Sequence, residues 1–215
     1  MDDLSDRLLR CYSGAVYDVM RNMGHYSNVL HESIRPINNQ HKIAGKIFTI
    51  EGKIDKTLDK HTSLLKWCEM LSAAPPETVL VCQPNDHSLA YMGELSAETL
   101  AFKKVRGYIV DGGCRDSEFI DRIGWPVFCR YFTPRDIVSS WAVTELGNMI
   151  EINGVKIHTN DYVLADRDGI VIIPGGIINE VVEETEKVLK TENLVRKSIL
   201  EGVDPVEAYL KYGKF

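Results

Sequence analysis

The chain has 215 residues, 44% of them hydrophobic, enough to bury about 70% of the surface its unfolded form exposes without a disulfide or metal staple. No Pro/Gly/Ser-rich linker, internal repeat or low-complexity tract divides it, which predicts one domain over residues 1–215. The net charge of −6 arises from 25 Lys and Arg against 31 Asp and Glu, with the cations dispersed, so the basic footprint of a phosphate-backbone binder is missing and nucleic acid is excluded as an expected ligand.

In chain order, residues 1–24 read as helix, with Leu4, Leu8, Leu9, Ala15, Val16, Val19, Met20 and Met23 on an apolar stripe, Gly24 as the stop and Ser13 as a break between two pieces. A strand follows over Ile43–Ile50, then a polar stretch, a helix near Leu64–Ser72 ended by Pro75-Pro76, and a buried strand at Val79–Cys82. Helix from about Leu95, strand Tyr108–Val110, helix Ser117–Ile123 and strand Val127–Cys129 then alternate, which argues for an α/β fold with some parallel pairing. Met149–Ile157 reads as a hairpin about Asn153-Gly154, and Tyr162–Ala165 and Gly169–Pro174 as strands flanking the acidic turn Asp166-Arg167-Asp168. The last long helix covers Ile177 to Glu201, so residues 177–215 form a C-terminal helix and arm. The expected architecture is a layered mixed sheet with flanking helices, not a pure doubly wound sheet.

The acids and cations that invite a chemical reading are Glu94 and, twenty residues later, the adjacent pair Arg115-Asp116. Glu94 lies where a turn opens a helix, and Arg115-Asp116 follow a short strand, so both fall in loops, where α/β proteins place their chemistry. A hard carboxylate beside a guanidinium fork suits a divalent cation and a small anionic oxo-acid. Plainer readings exist: an Arg-Asp dipeptide is usually a local surface pair, and an acid at a helix start is favoured by the helix dipole. Glu192 interrupts the apolar stripe of the last helix between Leu189 and Val195; it either pairs with Arg196 or meets a partner elsewhere.

Other chemistries fit less well. The five cysteines are odd in number and too widely spaced for a CxxC motif, which removes a disulfide framework and a thiolate zinc site and suggests reduced thiols in a cytoplasmic protein. The six histidines show no HxH or HExxH spacing, and no GxSxG elbow or P-loop is present. The acidic Met1-Asp2-Asp3 start and the absence of an apolar run approaching roughly 20 residues point away from export or membrane insertion.

The segment Gly93-Glu94-Leu95, continuing to Arg106-Gly107-Tyr108-Ile109-Val110-Asp111-Gly112-Gly113-Cys114-Arg115-Asp116, resembles the Asp/Glu-x20-Arg-Asp signature of the RraA-like superfamily, specifically its class II 4-hydroxy-4-methyl-2-oxoglutarate aldolases. Ser13 to Gly24 with Asp18, Ala73-Ala74-Pro75-Pro76, Trp125 to Phe128 with Thr133-Pro134-Arg135-Asp136, and Asp161 to Pro174 also fall in the family order. Glu77 and Cys114 depart from residues common there and touch none of the chemistry. The resemblance implies a swivelling β/β/α fold and a site in which Asp116 is the protein ligand of a Mg2+ or Mn2+ ion, Arg115 grips the oxo-acid, and backbone N–H groups of Gly93, Glu94 and Leu95 hold the pyruvate carboxylate. Glu94 is the signature's first acid, and Glu192 matches the acid that reaches the metal waters from a neighbouring subunit. It further implies a homotrimer or homohexamer, cleavage of a 4-hydroxy-2-oxo acid to pyruvate, and oxaloacetate decarboxylation through the same enolate. Any preference among oxo-acids is expected in the variable stretch Glu51 to His61. The alternative is a non-catalytic regulator that binds a ribonuclease, as some superfamily relatives do; such relatives can lack the metal-binding Asp that stands here as Asp116.

Overall fold

A computed structural model describes residues 3–215 of the protein. Of the helix expected over residues 1–24, residues 1 and 2 lie outside the described residues, and the remainder forms two helices, α1 (Asp3–Leu9) and α2 (Ser13–Asn22). The break falls at Ser13, whose N–H and hydroxyl both donate to the Asp166 carboxylate (2.8 and 2.7 Å), so the start of α2 is capped from a distant turn. The chain continues through β1 (Arg35–Pro36), β2 (Ile43–Ile54), α3 (Lys60–Ala73), β3 (Thr78–Gln83), α4 (Glu94–Phe102) and β4 (Gly107–Val110). Next come β5 (Gly113–Cys114), α5 (Ser117–Ile123), β6 (Val127–Cys129), β7 (Tyr131–Phe132), β8 (Trp141–Leu146), β9 (Ile150–Ile152) and β10 (Val155–Ile157). The last elements are β11 (Tyr162–Ala165), β12 (Ile170–Ile173), a 3-10 turn at Gly175–Ile177, α6 (Ile178–Leu200) and α7 (Pro205–Tyr212).

The main sheet is mixed, in the order β1-β6-β4-β3-β2-β11-β12. Its centre, β2-β3-β4-β6, is parallel, while β1, β11 and β12 pair antiparallel. Alternation along the strands sorts the core into layers. Ile43 and Ile47 of β2, Val79 and Val81 of β3 and Ile109 of β4 face the β9–β10 hairpin. The residues between them divide: Ala44 packs with Leu164 against α1, α2 and α6, while Ile50, Leu80 and Tyr108 pack against α3, α4 and α5. Each fully buried Ile, Val or Leu in these layers contributes about 1.5–3 kcal/mol. Helices cover one face of the sheet and a small β layer the other, the layered α/β arrangement expected from the sequence.

Two elements exceed the sequence reading. β2 runs to Ile54 and from Ile50 onward pairs antiparallel with β8, with a register shift between Glu51 and Gly52. Trp141 of β8 lies over Gly52, where a Cβ would overlap its ring. The polar Glu51-Gly52-Lys53 stretch is strand because of that long-range partner. α3 starts at Lys60 because the Asp59 carboxylate accepts the Thr62 N–H at 2.9 Å.

Candidate active site

Glu94 and Arg115-Asp116 meet because the chain runs out along α4 and returns along β4. The loop before α4 is stitched to β5: Gly113 N–H donates to the Leu89 carbonyl (3.2 Å), Tyr91 N–H to the Gly113 carbonyl (2.9 Å) and Arg115 N–H to the Met92 carbonyl (2.9 Å). A Cβ at Gly113 would stand 2.5 Å from the Leu89 oxygen, so only glycine permits this approach. Gly93 is thereby pressed onto the pair, and its missing Cβ would lie 2.8 Å from Asp116 Oδ2 and 3.2 Å from Arg115 Nε.

Asp116 has left-handed backbone geometry, φ 54°, and precedes α5. Its Oδ2 accepts the Glu94 N–H (3.1 Å) and lies 3.5 Å from Arg115 Nε, while Oδ1 accepts no hydrogen bond among the described residues. Arg115 Nη1 donates to Asp136 Oδ2 (3.3 Å), and Asp136 Oδ1 takes the Val138 N–H (3.1 Å). Arg115 and Asp116 remain 39% and 38% exposed, so both face solvent as well as each other. The Glu94 carboxylate has no hydrogen-bond or ion-pair partner among the described residues. Of the three backbone N–H groups expected to hold a substrate carboxylate, that of Glu94 is already engaged by Asp116; those of Gly93 and Leu95, at the unsatisfied start of α4, are free among the described residues.

These groups open into a cavity of about 590 Å³. Arg115, Asp116, Asp136 and the start of α4 form its polar side, and α3 presents Leu64, Trp67, Cys68 and Leu71 opposite. The Trp67 indole N–H is taken by Ser96 Oγ at 2.8 Å. The stretch Glu51 to His61, where substrate preference was expected, supplies none of the wall; the later turns of α3 do.

The donor set admits one kind of metal site. Among the described residues no group of three or more His, Cys, Asp or Glu side chains is assembled, so a protein cage for zinc is not built. Asp116, with one uncommitted oxygen, fits as the one protein ligand of a hard, largely hydrated Mg2+ or Mn2+ ion.

Glu192 lies elsewhere in the chain. It sits on α6, 18% exposed, accepting a very short hydrogen bond from Tyr12 Oη and lying 3.5 Å from Lys214 Nζ. Burial and this carboxylate push the Tyr12 phenol up to about 12. Arg196, the helical partner considered from sequence, instead donates to Asn193 Oδ1 at 2.7 Å. The acid on the apolar stripe is therefore explained within one chain, and no contact joins it to Arg115 or Asp116 there. Asp136 is the site residue that sequence reasoning missed. Its signal was a second Arg-Asp dipeptide, Arg135-Asp136, repeating the first twenty residues on.

Comparison with known proteins agrees with this construction. Residues 12–172 match the RraA-like family, described as Aldolase/RraA. The chain is 27% identical over 203 residues to protein DlpA of Legionella pneumophila, covering 94% of this chain but spanning only 32% of that longer protein. It is 25% identical over 185 residues to a Halalkalibacterium halodurans protein named "Putative 4-hydroxy-4-methyl-2-oxoglutarate aldolase", covering 85% of this chain and 83% of the relative. The crystal structure of Streptomyces coelicolor RraAS2, described as an unusual member of the RNase ES inhibitor RraA protein family, shares the fold with a TM-score of 0.81 at 22% identity, covering 92% of this chain and 98% of that one.

Proposed function

This chain belongs to the RraA-like family, and from that premise we propose that it is a divalent-metal-dependent carbon–carbon lyase that cleaves a 4-hydroxy-2-oxo acid to pyruvate and a carbonyl compound. The observation that carries this reading is the convergence of Arg115, Asp116 and the start of α4 on one cavity, with an unpaired Glu94 carboxylate beside them. The aldolase name of the relative at 25% identity supports the same class of chemistry.

Retro-aldol cleavage needs an anchor for the oxo-acid, a base for the 4-hydroxyl proton and positive charge for the enolate. The free N–H groups of Gly93 and Leu95 hold the substrate carboxylate at the positive end of α4. Arg115, braced between Asp116 and Asp136, directs its fork at the C2 oxygen. Glu94 takes the proton from the 4-hydroxyl, directly or through one solvent molecule. The C3–C4 bond breaks, its electron pair passes to the C2 oxygen as an enolate, a C4 carbonyl forms, and C3 is then protonated to give pyruvate. Asp116 would hold the Mg2+ or Mn2+ ion, which when bound supplies Lewis-acid stabilisation of the enolate charge. Oxaloacetate, which loses CO2 to the same enolate, is an expected side substrate.

The reading is tested by following pyruvate release from a 4-hydroxy-2-oxo acid with Mg2+ and after chelation. Turnover that needs the ion supports it; full turnover by metal-stripped protein contradicts it. The intact Asp116 favours catalysis over ribonuclease regulation, since the family resemblance implies that regulatory relatives can lack that acid.

A further inference from the structure

The two sides of the cavity differ in chemistry, and that difference constrains the substrate beyond its oxo-acid end. The polar side carries three carboxylates, Glu94, Asp116 and Asp136, against a single cation, Arg115. That guanidinium lies 3.5 Å from Asp116 and 3.3 Å from Asp136 and serves the oxo-acid end, and no second cationic side chain lines the cavity among the described residues. A divalent ion held by Asp116 would bring the sum to zero and leave no surplus for a second substrate carboxylate. A second carboxylate set against the opposite wall would meet no cationic side chain there among the described residues.

The opposite wall is apolar by construction. Leu64, Trp67, Cys68 and Leu71 follow the i, i+3, i+4, i+7 spacing of one face of α3, and Ile137 and Val138 extend the wall beside Asp136. Trp67, 8% exposed, donates its one N–H to Ser96 Oγ, so it brings no free polar group to the wall. Lys103, next to the end of α3, places its ammonium on the carbonyls of Leu71 (2.7 Å) and Ser72 (2.6 Å) and is therefore committed to capping that helix.

Resting on the lyase reading above, we infer that this site takes a monocarboxylate: a 4-hydroxy-2-oxo acid whose C4 substituent is uncharged and apolar, cleaved to pyruvate and an apolar aldehyde or ketone. The substituent packs on the α3 face while the pyruvyl end meets Arg115 and the start of α4. The substrate in the relative's name, 4-hydroxy-4-methyl-2-oxoglutarate, is a dicarboxylate, so this chain differs from that name at C4. Oxaloacetate is accordingly a slow substrate.

The test compares two acids that differ only at C4, 4-hydroxy-2-oxopentanoate with a methyl group and 4-hydroxy-2-oxoglutarate with a carboxylate, by kcat/KM in Mg2+. In parallel, calorimetry compares binding of the inert 2-oxohexanoate and 2-oxoglutarate. The inference expects at least a tenfold preference for the methyl substrate and tighter binding of 2-oxohexanoate. It further expects Cys68→Arg, a change at an exposed wall position, to reduce that preference at least tenfold by supplying the missing cation. A preference for the dicarboxylate in both assays overturns the inference and leaves the lyase reading standing. A Cys68→Arg variant with altered oligomeric mass and an unchanged preference assigns the wall to a subunit contact and also overturns it. Absence of cleavage of both acids together with absence of pyruvate binding removes the lyase reading, and this inference with it.

Discussion

Asp116 combines two demands that few residues meet. Its φ of 54° lies in the left-handed region, which Asp and Asn tolerate and most side chains do not, and its carboxylate must face the cavity. Asp116→Asn keeps the shape and the backbone preference but removes the charge, so it is expected to abolish turnover and leave the melting temperature nearly unchanged. Asp116→Ala is expected to lose turnover and also about 1 kcal/mol of stability, because alanine disfavours this conformation. Wild-type turnover by the Asn variant would show that the carboxylate is no ligand. Arg115 separates from lysine in a different way: an ammonium cannot span Asp116 and Asp136 while presenting a fork to the substrate. Steady-state kinetics of Arg115→Lys should show both a lower kcat and a higher KM, and values equal to wild type would make the residue structural. Gly93 has an extended backbone (φ −148°), so Gly93→Ala introduces no backbone strain; its methyl group would only push on Asp116 and Arg115. A displacement approaching 1 Å lowers rates on the order of 10²-fold, so kcat should fall by about that much in a protein that still melts normally.

At the scale of elements, some features were legible from the chain because they rest on local chemistry. Asn153-Gly154 was read as a hairpin turn, and both residues have positive φ, the geometry such a two-residue turn requires. The strands at 127–129, 162–165 and 170–173 and the helix at 117–123 likewise follow from local pattern. β8 was not read, since Trp141–Leu146 becomes strand only by pairing with the far half of β2, a partner about ninety residues away in sequence. α7 went unread although Asp204 caps it and Pro205 opens it, signals that the C-terminal arm did carry. The proximity of Glu94 to Arg115-Asp116 was readable only through the family signature: the stitching of Leu89–Met92 to β5 and the arrival of Asp136 are long-range events that no periodicity encodes. One element-level prediction concerns α1, which Arg7 ties to α6 through a two-pronged pair with Glu186, both contacts 2.9 Å. The Arg7 guanidinium holds the Glu186 carboxyl below its ordinary range. A depressed carboxyl adds stability above its unfolded pKa and loses it as pH falls through the lowered value. Arg7→Ala should therefore destabilise the protein in urea at neutral pH, by an amount that shrinks in acid; an undiminished difference in acid would mean that packing of the arginine stem, not charge, ties the helix.

Over the molecule, two of the groups of apolar side chains left exposed among the described residues stand out. One is on α4, where Leu95 and Phe102 are 76% and 90% exposed; the other is on the C-terminal arm, where Leu200, Leu210 and Phe215 are 81%, 76% and 72% exposed. Where unlike patches on one chain pair head to tail, the contacts give a ring if the rotation closes and an open filament if it does not. A trimer, or two stacked trimers, is what the family resemblance implies, and Glu192 adds no separate support, since Tyr12 and Lys214 already satisfy that acid within the chain. Light scattering should give a mass that is a multiple of three chains, and a stable, fully active monomer would contradict it. If Glu192 also serves a neighbour's site, inactive Asp116→Ala and Glu192→Ala chains reassembled together regain partial activity; failure of that rescue confines Glu192 to its own arm.

Arg115, Asp116 and the start of α4 form the proposed metal-dependent site for breaking the bond beside a 2-oxo acid. Its most direct measurement is pyruvate release from 4-hydroxy-2-oxopentanoate by the wild-type and Asp116→Asn proteins, each with Mg2+ and with chelator. Turnover is expected for wild type with Mg2+ alone, and none in the other three conditions. Equal pyruvate release by the two proteins, or by wild type with and without the ion, would contradict it.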